Sequence, residues 1–201
     1  MKSFSISQAI GKGWQLTTAN LGFLLGVMVV AFVVPQIVQS VLINEMNPGL
    51  FGGLITLAAM AYSFIVAMGL YKVSLMLVDG QKPQFNDLFS QYPKLINYFV
   101  AGLLFILGVA LGSILLIIPG IWFALRYQYF GMAIVDKNMG PIEALKYSGQ
   151  ITQGNALKLF GMALASMGVI VLGLLALILG VFVAMPVVYL AMAYIYRTLS
   201  K

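Results

Sequence analysis

Arg126 lies inside a strongly apolar stretch of this 201-residue chain, ten residues before the nearest following acid, Asp136, with Tyr127 and Gln128 beside it. If the stretch is helical, about 15 Å separates the arginine from that acid. A cation at such depth costs roughly 2.5–3.5 kcal/mol to insert into a bilayer. Ionisable groups held there mark substrate sites or ion pathways by default. The chemistry available to Arg126, Tyr127 and Gln128 is therefore electrostatic attraction of an anionic group. The competing reading is structural, with the guanidinium binding backbone carbonyls along the bundle interior as a polar lock.

The remaining charged groups offer less. Asp79, Asp87, Asp136 and Glu143 stand at the edges of apolar blocks, interleaved with lysines. Paired carboxylates do acid–base work when they converge with a base or a metal. The chain has neither histidine nor cysteine, which removes the usual near-neutral base, thiol nucleophiles and Cys-based metal sites. The carboxylates accordingly read as solvated charge. No catalytic or metal-binding constellation emerges, and no cofactor or nucleic-acid partner is expected. The net charge of +6 resides in lysines that could hold anionic lipid headgroups, each worth about 1 kcal/mol. The same pattern is needed merely to orient a membrane protein.

Asn20, Asn97 and Asn155 each fall where an amphipathic segment hands over to an apolar one, and Thr17 and Thr152 precede two of them by three positions. Side-chain oxygens of these types accept from free N–H groups at helix starts, so all five read as structural caps. Gly22/Gly26 and Gly108/Gly112 are GxxxG pairs that let helix backbones approach closely.

The elements that must carry these residues are membrane-spanning helices. Hydrophobic residues make up 62% of the chain, charged residues 8%, and mean hydropathy is +1.02. A soluble domain carries about 25% charged residues. The apolar residues fall in six blocks, near 20–42, 51–78, 95–117, 121–138, 157–179 and 182–199. Most are long enough to cross a hydrocarbon core about 30 Å thick. Outer turns are expected at 44–52, at 118–120 through Pro119 and Gly120, and at 180–186. Lys2, Lys12, Lys72, Lys82, Lys94, Lys137, Lys146, Lys158, Arg197 and Lys201 fall on the other side, which the positive-inside rule assigns to the cytoplasm together with both termini.

Three connections on that side are amphipathic. Ile6, Ala9, Ile10, Gly13 and Trp14 form one helical stripe; Phe85, Leu88, Phe89 and Tyr92 a second; Ile142, Leu145, Ser148 and Gly149 a third. Pro83 and Pro141 stand where first-turn prolines start helices. Each stripe is expected to form a helix lying in the headgroup plane. A shift of 135 residues pairs Ala9 with Ala144, Gln15 with Gln150, Thr17 with Thr152, Asn20 with Asn155, Leu24 with Leu159 and Gly26 with Gly161. The expected architecture is all-α: one transmembrane domain over residues 1–201, built from three units near 4–80, 83–139 and 141–201. Each unit is an interfacial helix followed by a transmembrane hairpin.

The stretch containing Ile117, Ile118, Pro119, Gly120, Ile121, Trp122, Arg126 and Tyr127 resembles a large group of bacterial proteins. So does Gly140, Pro141, Ile142, Glu143, Ala144, Leu145, Lys146, Tyr147, Ser148, with its continuation to Thr152, Gly154 and Asn155. The group is the YciC-like six-span proteins, relatives of the membrane domain found fused to glycerophosphoryl diester phosphodiesterases. The resemblance covers the layout of the chain, and its specific wording lies within 117–155. It implies a non-enzymatic protein of the bacterial inner membrane with a role in lipid or envelope organisation, because the metal-dependent chemistry of the fused enzymes resides in a soluble barrel that this chain lacks. Pro119, Gly120 and Arg126 would then be signatures of the fold. Expected partners are membrane lipids, with room for a protein partner or self-association. The alternative is a transporter of small solutes or lipids with its site between the hairpins near Arg126.

Overall fold

A right-angle turn at Asn20 sets the layout of the N-terminal region. In the computed structural model, which describes residues 3–37, 40, 50–176 and 180–200, helix α1 (Ile6–Ala19) is followed across a 93° bend by an apolar helix reaching Ile37. Its first part is α2 (Leu21–Met28), which widens into a π-type turn at Val29–Val33. Tyr62 donates its hydroxyl to the Val30 carbonyl there, at 2.6 Å. The chain continues as α3 (Leu50–Val78), two 3-10 turns (Phe85–Leu88 and Tyr92–Lys94), α4 (Leu95–Leu115), α5 (Ile117–Tyr127), α6 (Phe130–Lys137), α7 (Pro141–Ile151), α8 (Ala156–Leu175) and α9 (Val181–Ser200). No strand occurs among the described residues.

Among the described residues four stretches are long and apolar enough to cross a membrane: Gly52–Val78, Phe85–Ile114, Ala156–Leu175 and Val181–Ser200, or five if the bent α1–α2 pair counts as one span. The block expected at 121–138 does not qualify, because it is divided into α5 and α6, of 11 and 8 residues. Burial tells the crossing helices apart. Only 6% of the α4 window and 17% of the α8 window is buried, against 44% for α9. Helices α4 and α8 therefore turn apolar side chains outward, while α9 runs through the centre.

Two hairpins close on glycine. Helix α4 ends at Leu115, and one extended residue, Leu116, reverses the chain before α5 starts. The turn expected at Pro119 and Gly120 thus falls inside the first turns of a helix, where proline sacrifices no needed N–H. Gly120 is required for closeness rather than for turning: a Cβ on Gly112 would stand 3.0 Å from the Gly120 Cα, and one on Gly120 would strike Ser113. Gly108 likewise accommodates the Phe123 ring. Between α8 and α9, Gly173 and Gly180 make the same backbone approach, and Pro186, expected in the turn, lies buried inside α9. Of the other GxxxG pair, Gly26 seats the Phe85 ring rather than a helix, and Gly22 faces open space. The turn expected at 44–52 lies outside the described residues up to 49, and α3 already begins at Leu50.

The amphipathic segments pack inward on their small residues. In α1, Ala9, Gly13 and Thr17 are buried, and a Cβ on Gly13 would meet the Val187 carbonyl and Ala191 of α9. In α7, Ala144, Ser148 and Gly149 are buried, while Ile142 stays exposed. Of the larger stripe residues Trp14 and Ile142 face outward, whereas Ile6, Ile10 and Leu145 pack partly buried against the core. The middle stripe forms no α-helix. Between Pro83 and Pro93 there is room for little more than two turns, and the chain takes 3-10 geometry with the Gln84 N–H bonded to Asp87. Its Leu88 is fully buried, with its backbone so close to Gly69 of α3 that no Cβ would fit between them.

One apolar cluster forms around α6, whose residues 130–135 are all buried, with Ala193, Ile195 and Tyr196 of α9, Phe4, Ala9, Ala144 and Met68. A second joins Leu24, Val27 and Met28 of α2 to Val66, Leu70 and Val73 of α3, with Leu88 and Leu190.

Candidate functional site

Arg126 sits one residue before the end of α5, at the break. An unbroken helix would bond the Tyr129 N–H to the Leu125 carbonyl and the Phe130 N–H to the Arg126 carbonyl. The break leaves such groups without ladder partners, and side chains take over. Gln128 donates its amide to the Leu125 carbonyl at 2.9 Å. The Ser148 hydroxyl accepts from the Tyr129 N–H at 3.1 Å and donates to the Arg126 carbonyl at 3.1 Å. The Thr152 hydroxyl lies 2.8 Å from that carbonyl and 2.7 Å from the Ser148 carbonyl, so its single proton serves either.

The Arg126 side chain is placed by aromatic and glycine neighbours. Its guanidinium stands 4.9 Å over the Trp122 ring, one turn earlier on the same helix. Gly149 leaves the space in which Tyr127 and Arg126 pack, since a Cβ there would approach the Tyr127 ring to 2.9 Å. Tyr127 stacks on Phe123 with ring centroids 4.3 Å apart. Arg126 Nε is enclosed and has no hydrogen-bond partner among the described residues. Arg126, Tyr127 and Gln128 are thus neighbours at a break, with Gln128 turned to its own helix and Arg126 to Trp122.

The residues expected as caps act differently. Asn20 precedes α2 but makes no side-chain N-cap bond; its amide reaches back to the Leu16 carbonyl at 2.9 Å and closes α1 instead. Thr17 bonds the Gly13 carbonyl within α1, at 2.8 Å. Asn97 lies inside the first turn of α4, past its start. Asn155 precedes α8 without an N-cap bond, its amide 3.3 Å from the Gln153 carbonyl. At Asn20 the 93° bend leaves the Leu16 carbonyl of α1 as the amide's partner.

Asp79 and Asp136, read as solvated charge, meet instead at the ends of α3 and α6 around Arg197 of α9. Arg197 donates to Asp79 through Nε at 2.9 Å and Nη2 at 2.6 Å, and its Nη1 stands 2.8 Å from Asp136. The Tyr196 hydroxyl donates to the other Asp136 oxygen at 3.0 Å. A polar cavity of about 130 Å³ beside them is also lined by Lys72 and Gln81. Lys94 donates to the Val135 carbonyl at 2.8 Å. The cluster holds three helix ends together, and its only sequence signal is that each charge closes an apolar block.

The larger cavities are apolar and partly open. One of about 480 Å³ runs along α8 against α9, lined by Leu159, Met162, Met167, Ile170 and Met192, with Gln128 at its edge. Another, of about 930 Å³, lies between α1, α8 and α9. Among the described residues no group of three or more acids gathers as a metal cage. No protein-family model matches the chain, and no curated protein or solved structure matches it either.

Proposed function

We propose that this chain is a non-enzymatic integral membrane protein of the bacterial inner membrane that organises lipid around itself, or supports a partner there, with both termini in the cytoplasm. The observation that carries this reading is the character of its large cavities: they are apolar, partly open, and lined by the outward-facing helix α8. Such cavities suit acyl chains, whereas solute passage needs polar groups converging on a route. Purified in mild detergent, the protein should retain phospholipid in native mass spectrometry. Lipid-free protein, together with solute uptake into proteoliposomes, would overturn the reading.

The six-span layout and the three-unit repeat belong to the same proposal, as does membership of the YciC-like group. Support comes from the order of packing. Gly13 of α1 meets Val187 of α9, Leu88 meets Gly69 of α3, and Ser148 of α7 meets Arg126 of α5. The leading segment of each unit so packs on the second helix of the unit before it, cyclically. Ten residues after Gly69, Arg126 and Val187 come Asp79, Asp136 and Arg197, the residues of the ion cluster. A pseudo-threefold arrangement with the cluster near its axis accounts for both regularities.

A transporter site at Arg126 is favoured by one observation, the enclosed Nε without a partner. In that reading the guanidinium would receive an anionic group.

A further inference from the structure

The groove between α1, α8 and α9 begins at Ser7 in the first turn of α1, and a cation on α8 is bonded just ahead of that helix. Its walls include Gly11 and Trp14 of α1, Leu172 and Gly173 of α8, and Val183 and Val187 of α9. Val169, at its edge on α8, lies 11 residues after Lys158. Eleven residues are close to three helical turns, so both fall on one face of α8, about 16 Å apart. That is about half of a hydrocarbon core some 30 Å thick. Lys158 is exposed at the first turn of α8 and donates to the Ser3 hydroxyl just ahead of α1. No acid occurs anywhere in α1, α8 or α9, and among the described residues no carboxylate pairs with Lys158. A positive charge and a hydroxyl thereby stand beyond the α1 end of an apolar trough whose α8 wall, at 169–176, continues the face that carries Lys158.

We propose that this groove binds one anionic phospholipid of the surrounding bilayer, with an acyl chain along Val169, Leu172 and Gly173 and the phosphate at the Lys158 ammonium. The site rests on the lipid-organising reading and gives it a headgroup preference. The volume, about 930 Å³, is at the upper end of ordinary ligand sites and leaves room for an acyl chain. The lysine supplies the selectivity, since a zwitterionic headgroup gains less from an unpaired cation. Gly11 keeps the trough open: a Cβ built on it meets nothing within 4 Å.

Trp14, 55% exposed on the groove wall, reports occupancy directly. The chain has two tryptophans, so Trp122→Phe leaves Trp14 as the sole indole. In proteoliposomes of phosphatidylcholine containing brominated phosphatidylglycerol, Trp14 quenching should exceed that from brominated phosphatidylcholine at equal mole fraction. The expected preference is about fivefold, the contribution of one lysine near an anionic lipid. Lys158→Gln should abolish the preference while leaving quenching by either lipid, and Gly11→Leu should reduce quenching by both without lowering the melting temperature. Quenching that follows mole fraction alone, or a preference that survives both substitutions, overturns the site. If native mass spectrometry still detects retained phospholipid in that case, the broader reading stands and only this site falls. Lipid-free protein together with mole-fraction quenching overturns both.

Discussion

A helix that breaks inside an apolar block exposes backbone groups whose neglect costs about 1–3 kcal/mol each, and here two hydroxyls from another helix meet that need. Ser148→Ala removes the acceptor for the Tyr129 N–H and one donor to the Arg126 carbonyl. Thr152→Val removes the other donor. Each should lower stability by about 1–3 kcal/mol, seen in detergent-solubilised protein as a melting temperature reduced by some 2–4 °C per kcal/mol. Wild-type melting in both variants would mean that the break is satisfied in another way. The sequence singled out Arg126 and Thr152 but not their connection, because 26 residues separate them and only the reversal at Asn138 and Pro141 brings α7 back along α6. Ser148 was visible only as a small residue on a stripe. What it does depends on a break that no proline or glycine marks.

At the scale of elements, small residues decide which face of an amphipathic helix meets protein. Gly11 and Gly13 of α1 make the contrast sharp: a Cβ at position 11 faces open space, while one at position 13 would lie 2.4 Å from the Val187 carbonyl. Gly11→Ala should be neutral or stabilise α1 by up to about 1 kcal/mol through helix propensity. Gly13→Ala should cost about 1–3 kcal/mol through overpacking against backbone. Equal melting temperatures would contradict the packing of α1 on α9. Leu88→Ala should cost about 2–5 kcal/mol, since that side chain is fully buried beside α2 and α3. The periodicity of 6–19 and 141–151 is legible as helix in the sequence, and so is the start of α7 at Pro141. The inward direction of the small faces was not legible, because a 3.6-residue stripe looks the same whether it meets lipid or protein. The 3-10 geometry of 83–94 escaped for a local reason: its four apolar residues fit a helical period, but two prolines leave too little length for a helix to nucleate.

Across the whole molecule, the ends of α3, α6 and α9 are tied by one arginine between two aspartates. Their side chains remain 16–35% exposed, so solvent screens part of the attraction. A double-mutant cycle on Asp79→Asn and Arg197→Gln should return a coupling of about 0.5–3 kcal/mol, and strict additivity would deny the pair a role. Apolar blocks, basic edges and the hand-over at Asn20 carry much of the layout and can be read from the order of residue types along the chain. The ion cluster cannot, since Asp79 and Arg197 stand 118 residues apart and each looks like an ordinary charge at the end of a block. The cavities were equally hidden, since residues far apart in the chain line each of them.

The most direct test of the account is at Arg126, where lipid organisation and solute passage diverge. In this cysteine-free chain, Arg126→Cys and a control Lys82→Cys on the basic side can be treated with a small charged thiol reagent applied to each face of sealed vesicles. Position 126 should be protected from both faces while position 82 labels normally. Labelling at 126 would reveal a water-filled route to the break, contradict the lipid-organising reading and make the arginine part of a transport pathway.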